Sequence, residues 1–246
     1  MTNELTKIED IKESALAKVD GIFDVNDNIK GVTGRIPQVK IAHQAQTFML
    51  PDESKVDSFT GIILHHSPAN AYWATTFEES GGGDLPDCFS LDAVHPQVTG
   101  DEKVVQCEAC AGCRFNKFGS DGRGKACKNM WRIHVIKPGE ALPKRITLPP
   151  SNINQIQDYL MDLRGKQLPH ELVVTEFTLK KAKSKDGIEF SKIVFKPISV
   201  ITDRDQALEL KRIKEEFSVA FGEVIDLEEY GDKPVDSEVD EAAPNM

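Results

Sequence analysis

The feature that most constrains this chain is its cysteine spacing. Four of the five cysteines fall in one short stretch, as Cys107-Glu-Ala-Cys110-Ala-Gly-Cys113 and then Cys127, with Cys88 upstream. Met1 to Asp20 alternates charged and apolar residues and has no apolar signal core, which predicts a protein that is not secreted. In that setting clustered cysteines point to metal before disulfides. Thiolates two residues apart reach one ion from a single tight turn, and more distant ones close the tetrahedron. Cys110 and Cys113, with only Ala111 and Gly112 between them, form the better knuckle, and Cys127 is the obvious third ligand. The fourth is Cys88 or Cys107. Cys88 follows Pro86-Asp87 and would pin both ends of the segment, so it is favoured, with Cys107 as the alternate ligand. Zinc is the expected ion, in a structural site with no open position for catalysis. An iron–sulfur cluster is the alternative, because a Cys-x2-Cys-x2-Cys run plus a distant cysteine also suits four irons. Singly buried free cysteines are the plain reading, and the clustering weakens it.

The remaining pattern is mostly β. Short strands are predicted around Ile36–Ile41 and Thr47–Leu50, and a longer one from Val56 to Leu64, leaving the sheet at His65 through Ser67-Pro68. Strand pattern resumes at Trp131–Ile136 and Arg145–Leu148. A helix follows, with Ser151 as N-cap, Ile153, Ile156, Tyr159, Leu160 and Leu163 as its apolar face, and Gly165 at its end. Two long strands, about 171–182 and 188–200, are joined by Ser184-Lys185-Asp186-Gly187, where Asp-Gly signals a hairpin. Helices are predicted over 4–19 and 203–220. The fold class is therefore mostly β (α+β), an OB-fold-like antiparallel barrel with a zinc-binding insertion and flanking helices; a generic α+β sandwich fits almost as well. The domains are an N-terminal helix and linker (1–34), a core (35–222) with a cysteine-rich insertion at 84–129, and an acidic tail (223–246). No stretch approaches the roughly 18 apolar residues of a membrane span.

The formal net charge of −10 argues against nucleic acid if taken whole, but it is unevenly placed. Nine acids and one base lie from Glu223 onward, which leaves the other residues nearly neutral. Such a tail has too few large apolar side chains to recover its ordering entropy and is predicted to be disordered. It serves solubility, or competes with nucleic acid for a basic groove, or docks replication or recombination proteins. From Arg114 to Arg132 there are six bases and one acid, interleaved with Phe115 and Phe118. Cations meet phosphates and rings stack bases, so this composition suits a single strand. The candidate nucleic-acid-binding residues are Arg114, Phe115, Lys117, Phe118, Arg123, Lys125, Lys128 and Arg132, with Tyr72 and Trp73 at a strand end and Lys180, Lys181, Lys183 and Lys185 on the hairpin. The plainer readings are a solvated metal loop, a Tyr-Trp pair in the core, and lysines that protect a sheet edge.

Arg35-Ile36-Pro37, Pro86-Asp87-Cys88-Phe89-Ser90, and Cys110-x2-Cys113-x2-Asn116-x-Phe118-Gly119-Ser120 followed by Gly122-x-Gly124-Lys125-Ala126-Cys127 resemble stretches of a phage and prophage protein family with a four-cysteine insertion. The resemblance covers about 35–200. It implies a compact domain encoded near phage DNA metabolism genes, cytoplasmic in a bacterial host if phage-encoded, with Cys88, Cys110, Cys113 and Cys127 as ligands and Cys107 as an extra thiol. The overall plan is also similar to phage single-stranded DNA-binding proteins, which join an OB-fold to an acidic C-terminal tail. This tail ends Ala-Pro-Asn-Met, without the aromatic residue many such tails carry.

The expectation is a non-enzymatic single-stranded DNA-binding protein of replication or recombination, with no membrane partner and room for a homo-oligomer. One alternative is a metal-dependent nuclease using His65, His66, Glu78, Glu79 and Asp84. Another is a zinc-stapled protein-interaction or virion component.

Overall fold

The fold was obtained as a computed structural model, which describes residues 36–43, 45–75, 85–98, 104–122, 124–183, 187 and 189–223. Contacts divide the chain at Arg35 into two units, and the described residues all belong to the second, from Ile36 onward. The predicted helix over 4–19, Glu78, Glu79, Asp84, Arg123, Lys185 and the tail beyond Glu223 lie outside the described residues.

The architecture is mostly β, with antiparallel sheets and few helices. Three short strands, β1 (Lys40–Ala42), β2 (Thr47–Met49) and β3 (Lys55–Val56), form a small meander. The main sheet contains β4 (Ser58–Tyr72), β5 (Cys88–Ser90), β6 (Cys127–Ile136), β7 (Lys144–Leu148), β8 (Val173–Lys183) and β9 (Glu189–Val200). Its order is β7-β6-β4-β8-β9, with β5 added to the far end of β4. Among the described residues no ladder joins β7 to β9, so the path is open where an OB-like barrel would close. The α-helices among the described residues are α1 (Ile153–Gly165), between β7 and β8, and α2 (Arg204–Glu216) and α3 (Ser218–Glu223), after β9.

The sheet buries both faces. On one, Ile63, Ile133, Val135, Phe177 and Ile193 pack against Ile156, Tyr159 and Leu163 of α1 and against Val39 and Phe48 from the meander. On the other, Ile62, Leu64, Ile136 and Val174 pack against Leu210 and Ile213 of α2 and Phe221 of α3. These helices form because their apolar residues recur three and four apart and build one stripe each. Asp203 caps α2 by accepting a hydrogen bond from the Gln206 N–H at 2.9 Å.

The predicted exit from the sheet at Ser67-Pro68 is corrected: β4 runs on to Tyr72, paired with β6 throughout. β8 pairs only with Ser58–Ile62 and β5 only with Asn70–Tyr72. Pro68 therefore lies where β4 has a ladder on one side only, an edge-like setting in which proline is tolerated. Between Ile63 and His65 the register shifts by one residue. That bulge places Leu64 and His65 on the same face: Leu64 joins the α2 cluster and His65 stacks on Phe221, while His66 turns to the other side and stacks on Trp131.

The predicted Ser151 cap is also corrected. Pro150–Asn152 form a 3-10 turn and Asn152 stands at the cap position of α1. Its side chain turns to β9 instead, accepting from the Ile193 N–H at 2.7 Å and donating to the Ser191 carbonyl at 3.1 Å. The amide thus occupies backbone positions on an outer strand that would otherwise lack partners.

Candidate metal centre and cationic surface

The upper end of β4 gathers all five cysteines. Tyr72 pairs with Cys88 of β5 on one side and with Cys127 of β6 on the other. Residues directly opposite in a ladder point to the same face, so Cys88, Tyr72 and Cys127 form one row. Over that row folds the segment between the two strands. Cys110–Gly112 and Arg114–Asn116 each make one 3-10 turn, and the Cys113 N–H donates to the Cys110 carbonyl at 3.3 Å. The small residues Ala111 and Gly112 allow so tight a knuckle. A single pocket is lined by Cys88, Cys107, Cys110, Cys113 and Cys127 together with Tyr72 and Phe115.

Four of these thiols are buried, Cys88, Cys110, Cys113 and Cys127. Cys107 is half-exposed. Burial pushes the Cys127 thiol up to about 12, and the neighbouring Cys110, Cys113, Cys88 and Cys107 push the same way. Burial, then the neighbouring Cys113, raises Cys107 to about 12 as well. Cys88 is raised by burial, opposed by a hydrogen bond from the Gln106 backbone. The thiols are therefore close enough to resist shared ionisation. A divalent cation reverses that balance, because thiolate ligands form around it. The donor set is sulfur throughout, which suits zinc or an iron–sulfur cluster and not magnesium or calcium. Among the described residues no group of three or more His, Cys, Asp or Glu side chains is placed so that it could hold a metal ion as it stands.

An amide network seats the knuckle on the sheet. Asn129 Nδ2 donates to Asn70 Oδ1 at 2.5 Å and to Asn116 Oδ1 at 3.0 Å, while Asn116 Nδ2 donates to the Cys110 carbonyl at 3.0 Å. Lys125 Nζ donates to Asn129 Oδ1 at 2.8 Å. Asn70 and Asn129 are cross-strand partners, so the chain of amides runs from β4 through β6 into the cysteine loop. Sequence inspection missed these residues; Asn116 lay within the motif but carried no metal-ligand or base-stacking signature.

The aromatic and basic candidates divide. Tyr72 and Phe115 stack on each other with centroids 4.1 Å apart, roofing the pocket. Trp73 packs against Ala71, Phe89, Leu91 and Met130. Phe118 is 60% exposed, with Lys125 Nζ 5.1 Å from its ring centroid, and Lys117 beside it is exposed. Arg114 is exposed and lies over the Phe115 ring at 4.6 Å. Lys128 forms an ion pair with Asp121 at 3.1 Å. Arg132 is corrected: it is fully buried and donates to the Phe221 carbonyl at 3.4 Å, so it cannot meet a phosphate.

The hairpin lysines do not join this surface. Lys180, Lys181 and Lys183 lie beyond the Ser58 end of β4, where Thr178 is the last β8 residue to pair with it. The thiol pocket is at Tyr72. The 15 residues of β4 span roughly 45–50 Å at about 3.3 Å each. Lys181 and Lys183 are also paired with Glu189 at 2.5 and 3.3 Å. A single groove lined by both patches is therefore not formed. Nor do His65 and His66 share an ion as the nuclease alternative requires, since they face opposite sides of the sheet. No family model, curated protein or solved structure matches the chain. Among the described residues no helix is long and apolar enough to cross a membrane.

Proposed function

We propose that this protein is a zinc-stapled single-stranded DNA-binding protein that acts in phage-type replication or recombination. One observation carries the reading: the loop bearing Arg114, Lys117 and Phe118 is folded directly over a pocket lined by five thiols. Four of the thiols, Cys88, Cys110, Cys113 and Cys127, would hold zinc as a structural tetrathiolate site. The metal would make rigid a loop that has little apolar mass of its own. Arg114, Lys117 and Lys125 would meet phosphates, and the exposed Phe118 ring would stack a base, a contact worth about 1–3 kcal/mol. The OB-like barrel expected from sequence lends this reading no support, and the hairpin lysines would serve as edge protection. The acidic tail would compete with phosphate for the cationic loop or dock partner proteins.

The test is a fluorescence-anisotropy titration of a labelled oligothymidine at two salt concentrations, using zinc-loaded protein with and without residues 224–246. The expected result is salt-sensitive binding, tighter without the tail, with Lys117→Ala and Phe118→Ala each weakening it about tenfold. Absence of binding by the zinc-loaded tailless chain would reject the DNA-binding reading.

A further inference from the structure

The pocket holds one thiol more than a tetrahedral ion takes. From this we propose that Cys107 is the resolving thiol of a peroxide-sensitive switch, in which a Cys107–Cys113 disulfide forms and the metal is released. The inference rests on the zinc site proposed above and adds a mode of regulation to it.

Three observations converge. All five cysteines line the same pocket, so the spare thiol is not elsewhere in the fold. Cys107 alone among them is not buried, while the other four lie at 5–8% exposure. It shares that pocket with Cys113, one half of the tight Cys110–Cys113 knuckle. A thiol in the same pocket as a proposed metal ligand, yet surplus to the shell, is placed to trap that ligand once it is oxidised.

The chemistry balances with hydrogen peroxide as oxidant. The Cys113 thiolate attacks one peroxide oxygen, the O–O bond breaks, and Cys113 becomes a sulfenic acid as hydroxide leaves. The Cys107 sulfur then attacks the Cys113 sulfur. The S–S bond forms, the S–O bond breaks, and the Cys107 proton leaves with the departing oxygen as water. The two sulfurs lose two electrons, the peroxide gains them, and the hydroxide takes a proton from solvent to give the second water. Cys88, Cys110 and Cys127 remain as three ligands, too few for a closed structural site.

The experiment follows zinc release from the full-length protein with a chromogenic chelator during hydrogen peroxide treatment, and maps disulfides by peptide mass. Wild type is expected to release its zinc with a Cys107–Cys113 crosslink and to rebind it after thiol reduction. Cys107→Ser and Cys107→Ala are expected to be purified with the same zinc content and to release it at least about tenfold more slowly. Release from both variants at the wild-type rate, or a crosslink between another pair, overturns the switch. Variants purified without zinc also overturn it, because Cys107 would then be a ligand, and they leave the metal reading intact. Wild type that neither contains nor takes up zinc instead defeats the metal reading itself.

Discussion

The two ends of β4 are held by different forces. At the Ser58 end, Phe59 stacks on Phe177 with centroids 4.7 Å apart, and the surrounding cluster draws on α1, the meander and five strands of the main sheet. At the Tyr72 end the apolar cluster shrinks to Ala71, Phe89, Leu91 and Met130, with Trp73 against it. There the fold is secured by amide-to-amide bonds and by the thiol pocket. A stretch of short turns cannot bury enough apolar surface to order itself, and crosslinks of another kind take over. Hydrophobic burial therefore sets the stability of the body, and hydrogen bonding, together with the proposed metal, would set the order of the insertion.

The largest break in this comparison should come from Phe177→Ala. It empties a fully buried site and is expected to cost about 3–5 kcal/mol, read as a lower urea midpoint for the whole body. Below that midpoint the proposed zinc should still be retained; early metal loss would mean that the two ends are one cooperative unit. Chelation asks the converse. Stripping the metal is expected to open residues 104–122 to protease while leaving the far-ultraviolet β signal of the body in place.

Acid should act on the body through its histidines. Burial, then the nearby Arg132, holds His134 down to about 2, and burial with the adjacent His170 holds His66 down to about 4. The unfolded chain takes these protons near pH 6.5 and the folded one refuses them. Stability is thus complete above about 6.5 and falls as pH drops through that value toward 4. Between pH 7.5 and 5 the loss is about 2 kcal/mol for the fully buried His134 and less for half-buried His66, measured as urea midpoints. A flat profile would contradict the burial of these rings.

Smaller effects sharpen the contrast. A Cβ at Gly61 would collide with Val135 Cγ1, a stiff β-branched neighbour, and would lie 3.2 Å from the Ile136 carbonyl oxygen. Gly61→Ala should therefore cost about 1–3 kcal/mol in the body. Asn129→Ala strands the amides of Asn70 and Asn116 and should cost about 1–2 kcal/mol, confined to faster hydrogen exchange in the insertion. Glu189→Gln, on an exposed ion pair at the hairpin tip, should leave the melting temperature unchanged.

Much of the body was legible because its period was regular. Alternation marked β8 and β9, and the three-four spacing of Ile156, Tyr159 and Leu163 marked α1. The upper half of β4 was hidden because His65, His66, Ser67 and Pro68 read as an exit, whereas a one-sided ladder accommodates them. The grouping of the cysteines followed from local spacing, but their seating did not. That depends on Asn70 and Asn129 meeting across strands 59 residues apart in sequence. The separation of the hairpin lysines from the cysteine loop was not legible, because a list of lysines carries no information about which end of a long strand each one occupies.

The extra residue at Leu64 works as a half-step in the gearing of β4. Below it, Ile63 points toward α1; above it, Tyr72 points toward the thiols, on that same side of the sheet. Drawn as an unbroken ribbon of the same length, β4 would present everything from His65 onward to the wrong side, and the phenol ring would turn its back on Cys88 and Cys127. One misfit in the ladder thus lets a single strand serve two unrelated kinds of packing on a common face.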